Sequence, residues 1–389
     1  MSAPSRPADW DPRASQVLAD PIAAYDHMRR TCPVAHSDYL HHSVFRHADV
    51  MGIVLDHHTY GNAASRHLSV PNGMDPPEHT AWRRMIEPYF DGARVAAFAP
   101  ACREIAAALV GALPQQAPVE LMSALAHPFA VQVQCAFMGW PQALHQPLLQ
   151  WVQARNAATL SADPRALAAV ATGFDSTIRH LLQERRDAGN AAPDDITTAL
   201  LRETIHGRPL AEEEIVSILR NWTVGELGSI ASSVGIIAWY LAAHPALQSR
   251  LRRKPTLLRA ANDEILRIHA PLTCNRRVPT RDVTLGGRHI AAGERLTLVW
   301  AAANRDEAVF GDPDECRLDR DPALNLLYGA GIHACPGAAL ARLELEAVIA
   351  ALLAATASIE PAGSRPTPAV YPAGGHRQVE LLLRPAAGS

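Results

Sequence analysis

Cysteine is scarce and unpatterned in this 389-residue chain: Cys32, Cys102, Cys135, Cys274, Cys316 and Cys335 stand far apart, with no C-x-x-C spacing. That excludes a disulfide framework or a cysteine-based zinc site as a sequence reading, and it suits a reducing cytoplasm. Long apolar runs are missing too. No stretch reaches the ~18 residues of a membrane-spanning helix. The N-terminus, Met1-Ser-Ala-Pro-Ser-Arg-Pro-Ala-Asp-Trp10, is polar and proline-rich, with no apolar signal region. The longest apolar run, around Ile230 to Ala243, is interrupted by serines and ends at His244-Pro245, so it reads as a buried core helix. No Gly/Ser linker, low-complexity stretch, charge block or repeat marks a boundary. The chain therefore reads as one domain over 1–389, with about 1–15 as a flexible arm, although length alone would admit two. A net charge of −3 without a basic tract gives no sign of nucleic acid, and nothing points to a membrane.

What is present is an ordinary globular interior, 48% hydrophobic and 19% charged, large enough to enclose a cofactor. Alanine-rich amphipathic segments predict helices at about 21–31, 95–113, 142–158, 164–187, 212–243, 256–269 and 337–355. Strand-like pieces are short: 43–46, 282–285, 288–290, 295–299 and 378–384. Asp282-Val-Thr-Leu-Gly-Gly-Arg-His-Ile290 signals a hairpin with Gly-Gly in the turn. The fold class expected is mainly α with small β-sheets.

The most informative stretch is Tyr328-Gly-Ala-Gly-Ile-His333-Ala-Cys335-Pro-Gly337, followed at once by a helical run, 338–355. It places one cysteine in a glycine-rich turn at the mouth of a helix. Backbone N–H groups and the positive end of the helix dipole there favour thiolate over thiol. A thiolate so placed can ligate haem iron; the alternative is a glycine-rich turn with a core cysteine. The Tyr328, Gly329, Gly331, His333, Cys335 and Gly337 set resembles the haem-binding loop of the cytochrome P-450 family. Glu264-Ile-Leu-Arg267 resembles its Glu-x-x-Arg motif, and Phe310-Gly-Asp-Pro-Asp-Glu-Cys316-Arg-Leu-Asp-Arg320 its meander. Asp75-Pro-Pro-Glu-His79-Thr-Ala-Trp-Arg83-Arg84 resembles the start of its C-helix. The four motifs stand in the family's order and at roughly its separations, over a reach from about residue 20 to the C-terminus.

The resemblance implies the P-450 fold, with haem b (iron protoporphyrin IX) between the long distal helix 212–243 and the helix after the Cys loop. Cys335 would be the iron ligand. His79 and Arg83, at i and i+4 on one helix face, would hold haem propionates together with Arg277 and His333. Glu264, Arg267 and Arg320 would hold the proximal side as structure. Tyr328 stands where the family usually has phenylalanine, and Cys316 where its meander usually has an aromatic.

Over Val224-Gly225-Glu226-Leu227-Gly228-Ser229-Ile230 the usual pattern is small-Gly-x-acid-Thr. Here the acid position is Gly228, the alcohol is Ser229, and Glu226 stands at the second glycine. About 100° per residue rotates Glu226 roughly 60° from Ser229, towards the same cavity. Ser229 and Glu226 are the catalytic candidates. Glu226 either replaces the missing acid or anchors a polar substrate group, or else points to another helix or solvent. The pocket roof falls at about 62–72, with Arg66 and His67 as weak candidates for a polar substrate, and Leu272 and Thr273 on a wall.

The function implied is a cytoplasmic haem-thiolate monooxygenase that inserts one atom of dioxygen into a small organic substrate. Its electrons would come from a separate ferredoxin and ferredoxin reductase. A peroxide-using, oxidative-coupling or isomerising enzyme, and a non-catalytic haem or ligand-binding protein, are the alternatives.

Overall fold

The computed structural model describes residues 8–64, 68–114, 116–161, 163–363, 365–369 and 373–386. Its centre is the helix Glu212–Ala243, 32 residues long. Glu212, Glu213 and Glu214 fill the first turn, where the helix dipole favours negative charge. Glu214 also reaches back to accept the Ala211 N–H at 2.7 Å. The helix stops at His244, and Pro245 opens the next one, Pro245–Arg253. By length and composition Glu212–Ala243 could cross a membrane, yet it is largely buried among its neighbours, as expected of a core helix.

This helix packs on His127–Met138 on one side and Ala338–Ala355 on another, and Ala338–Ala355 runs along Gly92–Gly111. Their apolar side chains form one continuous core that reaches Val70 at one end and Leu383 at the other. His127–Met138 escaped the periodicity reading because apolar residues surround it on all sides and eight of its twelve residues are buried. The remaining expected helices form within a few residues of their expected bounds, as Pro21–Thr31, His145–Ser161, Pro164–Ala188 and Leu258–His269.

The sheets are small. The largest runs Val34–Ser37, His41–Val44, Leu296–Val299, Cys274–Pro279, Tyr60–Gly61 in spatial order, with the second and third parallel. A second joins Thr356–Pro361, Glu380–Pro385 and Pro118–Glu120. Val283–Leu285 pairs with Arg288–Ile290 across Gly286-Gly287, both at positive φ (55° and 76°), as the Gly-Gly signal predicts. The molecule is thus mainly α with small sheets.

Residues 1–7 of the expected flexible arm lie outside the described residues. From Asp9 on the chain is docked: Asp9 meets Arg288 at 2.8 Å, and the Trp10 ring packs edge-on against Phe45 and Tyr25.

Behind the Cys loop lies a buried ionic cluster. Arg267, 1% exposed, grips both oxygens of Glu264 (2.8 and 2.9 Å) and donates to the carbonyls of Asn304 and Pro313. Arg320 donates to Glu264 at 2.8 Å and to the carbonyl of Phe310. The Arg267 guanidinium lies 4.6 Å from the Phe310 ring centroid. Three segments distant in sequence are pinned together, which is the structural role expected of these residues. Cys316, in the same region, is pushed up to about 11 by burial and shares a hydrogen bond with Tyr240.

Candidate functional site

A cavity of about 660 Å³ opens between the helix Glu212–Ala243 and the Cys335 loop. That volume lies in the range of sites that hold cofactors and small ligands. The loop has its shape because of its glycines. Gly329 and Gly331 both sit at φ 69°, and a Cβ on Gly331 would run into the Val54 carbonyl. The Cys335 N–H closes the turn on the Tyr328 carbonyl at 2.8 Å. Gly337 then caps Ala338–Ala355, leaving Cys335 on the cavity wall with its sulfur open to the cavity.

One expectation about Cys335 changes. The glycine-rich turn was expected to favour thiolate; burial pushes the Cys335 thiol up, against the opposing pull of the Gly337 N–H. A metal ion bound at the sulfur supplies the positive charge that removes the proton.

The four expected propionate donors do come together at the cavity rim. His79, 3% exposed, and His333 meet with ring centroids 4.1 Å apart and planes tilted by 50°, and the Nε2 of each is buried without a hydrogen-bond partner. Arg83 donates to the Ala334 carbonyl at 3.0 Å and meets Glu87 at 3.1 Å. Arg277 is buried on Cys274–Pro279 and donates to its neighbour's carbonyl. Among the described residues, no carboxylate lies within ion-pair distance of His79, Arg277 or His333. Burial, with the crowding of like charges, holds His79 down to about 4 and His333 down to about 3; burial alone brings Arg277 to about 10. Orphaned buried nitrogens beside an arginine without a carboxylate partner, lining the same cavity as a cysteine, fit a planar iron cofactor with two carboxylate arms.

The low histidine values carry a consequence for the cofactor-free protein. His79, His269 and His376 are each held near about 4, chiefly by burial. Between about pH 6.5 and 4 the unfolded chain then binds more protons than the folded one, so stability falls as pH drops through that window. Thermal melts should show Tm falling by several degrees from about pH 6.5 to 4.5, and His269→Asn should flatten part of that slope. A profile flat in pH would contradict the neutral buried histidines.

On the opposite wall stand Gly225, Glu226 and Ser229. The Ser229 hydroxyl donates to the Gly225 carbonyl at 2.7 Å, a back-bond within the helix, which leaves its lone pairs as acceptors. Glu226 reaches the cavity, but its carboxyl also leans to Glu344 on the helix behind Cys335. It is the only carboxyl-bearing residue among the described cavity-lining residues. Both readings of Glu226, facing the cavity and facing another helix, are therefore partly right.

Sequence reading missed Arg155. Its guanidinium lies 3.5 Å from where a Cβ on Gly228 would stand and 5.7 Å from the Trp151 ring centroid, with no carboxylate partner among the described residues. A cation next to the vacant acid position had no local signal, because the two residues are brought together only by packing of distant helices.

The loop expected to roof the pocket is strapped to the long helix. Ser217 accepts the Val70 N–H at 2.9 Å and donates to the Leu68 carbonyl, and Asn221 donates to Ser69 and Val70. Arg66 and His67 lie outside the described residues. Leu272 lines the cavity as expected. Thr273 instead turns into the core, where it is hydrogen-bonded to Tyr25. Phe90, Phe137 and Trp222 add an aromatic wall. Tyr328 lies under the Arg342 guanidinium at 4.5 Å, and Arg342 pairs with Asp263 at 2.8 Å.

The sequence model of the cytochrome P-450 family matches residues 132–367. A mycinamicin IV hydroxylase/epoxidase from Micromonospora griseorubida is 32% identical over 72% of this chain and 70% of that protein. A nocardicin C N-oxygenase from Nocardia uniformis subsp. tsuyamanensis is 32% identical over 80% of each. Among solved structures, ligand-free cytochrome P-450 TbtJ1 superposes with a TM-score of 0.84 at 28% identity, covering 94% of this chain and 97% of that one. P-450 EryK, at 24% identity, shares the fold with a TM-score of 0.87 over 95% of this chain and 98% of that one. Family match, fold and the cysteine-walled cavity agree: the chain belongs to the cytochrome P-450 family.

Proposed function

We propose that this protein is a haem b monooxygenase that takes electrons from a separate ferredoxin and its reductase. The balance is one organic substrate, one dioxygen, two electrons and two protons in, and one oxygenated product and one water out. A cavity lined together by Cys335, the orphaned nitrogens of His79 and His333, and Arg83 and Arg277 carries this reading. Hydroxylation, epoxidation and N-oxygenation, named for the relatives, all insert one oxygen atom.

Bound haem iron supplies the oxygen-activating chemistry. The chain's own residues do the rest. Cys335 offers the sulfur ligand, and His79, Arg83, Arg277 and His333 bind and orient the two carboxylate arms. Ser229, its own proton held by Gly225, accepts a hydrogen bond from whatever donor enters beside it. Phe90, Phe137 and Trp222 shape an apolar wall for the substrate. Reconstitution with haem, a ferredoxin system and labelled dioxygen tests the proposal. One labelled oxygen in the product is expected, and label-free product overturns dioxygen as its source.

Gly228 favours a second reading, in which peroxide replaces dioxygen and two electrons. Product forming faster from hydrogen peroxide than from the ferredoxin system would select it.

Gly228→Asp is a separate test of the vacant acid position. The new carboxylate would stand beside Arg155, and Tm should rise by about 2 °C, what ~1 kcal/mol amounts to in a large domain. The fraction of electrons ending in product should rise with it. No change in either would show that Arg155 does not face that position.

A further inference from the structure

We propose that Glu226, on the long helix, and Glu344, on the helix behind Cys335, form one acid pair that shares a single proton and delivers it to the cavity at Ser229. Glu226 is then the proton donor and Glu344 the positioning residue that keeps it protonated. The delivery half rests on the oxygen-inserting reading above; the shared proton does not.

The two helices pack directly on one another. Glu344 is 0% exposed, and neither of its oxygens has a hydrogen bond of good geometry. Glu226 Oε1 is buried and unpartnered as well. The side chains nonetheless face each other closely enough to interact carboxyl to carboxyl. The ionisable groups around them are Cys102 from Gly92–Gly111 and Tyr328 and Cys335 from the Cys loop. None of these is basic, and no Lys, Arg or His lies within ion-pair distance of either glutamate among the described residues.

Two carboxylates without a cation cannot both be ionised in such a place. Desolvation alone costs several kcal/mol per ion, and two like charges side by side add repulsion. Burial raises both groups, and Glu344 is raised furthest, by Glu226 beside it. The proton belongs to the pair rather than to either residue. A proton bridging the two would also satisfy two of the three oxygens now left without a donor.

Position gives the pair its use. Glu226 lines the cavity and Glu344 does not, so the pair has one open end. Ser229 sits three residues on along the same wall with its lone pairs free to accept. Gly228 provides no acid, and the cavity has no other carboxyl among its described lining residues. In each transfer Glu226 gives its proton to a water oxygen at Ser229 while the pair takes up a proton passed in from bulk solvent in the same step, so the pair keeps a single negative charge throughout and the net proton comes from solvent. The two protons that each turnover consumes pass this way, while the two electrons come from the ferredoxin.

Infrared spectroscopy of the haem-loaded protein at neutral pH tests this. A protonated-carboxyl carbonyl band is expected, shifting on transfer to deuterium oxide. Glu226→Gln and Glu344→Gln should each abolish it, because the amide donates to the remaining carboxylate and lets it ionise. Glu344→Asp should retain it. In turnover, Glu344→Gln should lower product per electron by about tenfold, less than the ~100-fold at the low side of what a positioned proton donor contributes because Glu226 itself remains, with substrate Kd unchanged. Glu344→Asp should recover most of that loss.

Absence of the band in the unaltered protein overturns the pair. A band lost in Glu344→Gln with product per electron unchanged overturns delivery. No oxygenated product from any oxidant, with the band and its variants behaving as described, overturns the oxygen-inserting reading and leaves the shared proton standing. Should Glu344→Gln not fold, Glu226→Gln gives the same two readouts.

Discussion

Cys335→Ala yields a protein that folds but lacks the spectrum of thiolate-ligated haem. Cys335 stands on the cavity wall, in a loop whose turn is made by backbone hydrogen bonds and by Gly329 and Gly331, so the side chain is not what shapes the loop. Removing the sulfur therefore removes the ligand and leaves its scaffold. Haem is then held only by the basic rim, and oxygenation should fall by more than ~100-fold, beyond what loss of an outer-shell partner alone brings. Circular dichroism of the variant should match that of the parent. A variant that keeps the thiolate-type spectrum would point to another cysteine, of which Cys274 also lines the cavity, while Cys102 and Cys316 do not line it and are held as thiols by burial.

Arg267→Ala should have the largest effect on stability. The side chain is 1% exposed, and its loss leaves Glu264 with Arg320 and the Arg317 N–H as its remaining partners. It also strips the donors from the Asn304 and Pro313 carbonyls. Breaking a buried pair from one side costs about 3–5 kcal/mol, a large share of a domain's net stability. The expected result is insoluble or haem-free protein at 37 °C, or a denaturation midpoint lowered to match. Arg267→Lys should recover only part, because an ammonium cannot make the forked contact to both Glu264 oxygens. A midpoint unchanged in Arg267→Ala would mean that the cluster does not hold the loop in place.

The parts of the site that could be read from sequence are those whose chemistry is written in one short stretch. The Tyr328–Gly337 turn carries its own glycines and its own ligand, and His79 and Arg83 stand one helical turn apart. Glu264 and Arg267 do as well. Glu344 could not be read in this way. In Ala-Arg-Leu-Glu-Leu-Glu it resembles an ordinary helix-surface charge, and only the packing of Glu212–Ala243 against its helix buries it. Arg155 was hidden for the same reason.

Helix His127–Met138 was missed because a helix buried on every side has no polar face to set its period. Strand Cys274–Pro279 was missed because two arginines interrupt its apolar pattern. One of them, Arg277, is buried at the cavity rim rather than exposed.

The pull of the loop on the Cys335 sulfur was legible, but the burial that opposes it was not. The Gly337 amide pulls towards thiolate as assumed, but burial of the sulfur pulls the other way more strongly.

The most direct test of the account is the absorption spectrum of the purified, haem-loaded protein after reduction with dithionite and addition of carbon monoxide. The strongly red-shifted Soret band of a thiolate-ligated iron is expected, lost in Cys335→Ala. A band at the position of imidazole-ligated haem, or failure of the protein to take up haem at all, would contradict it.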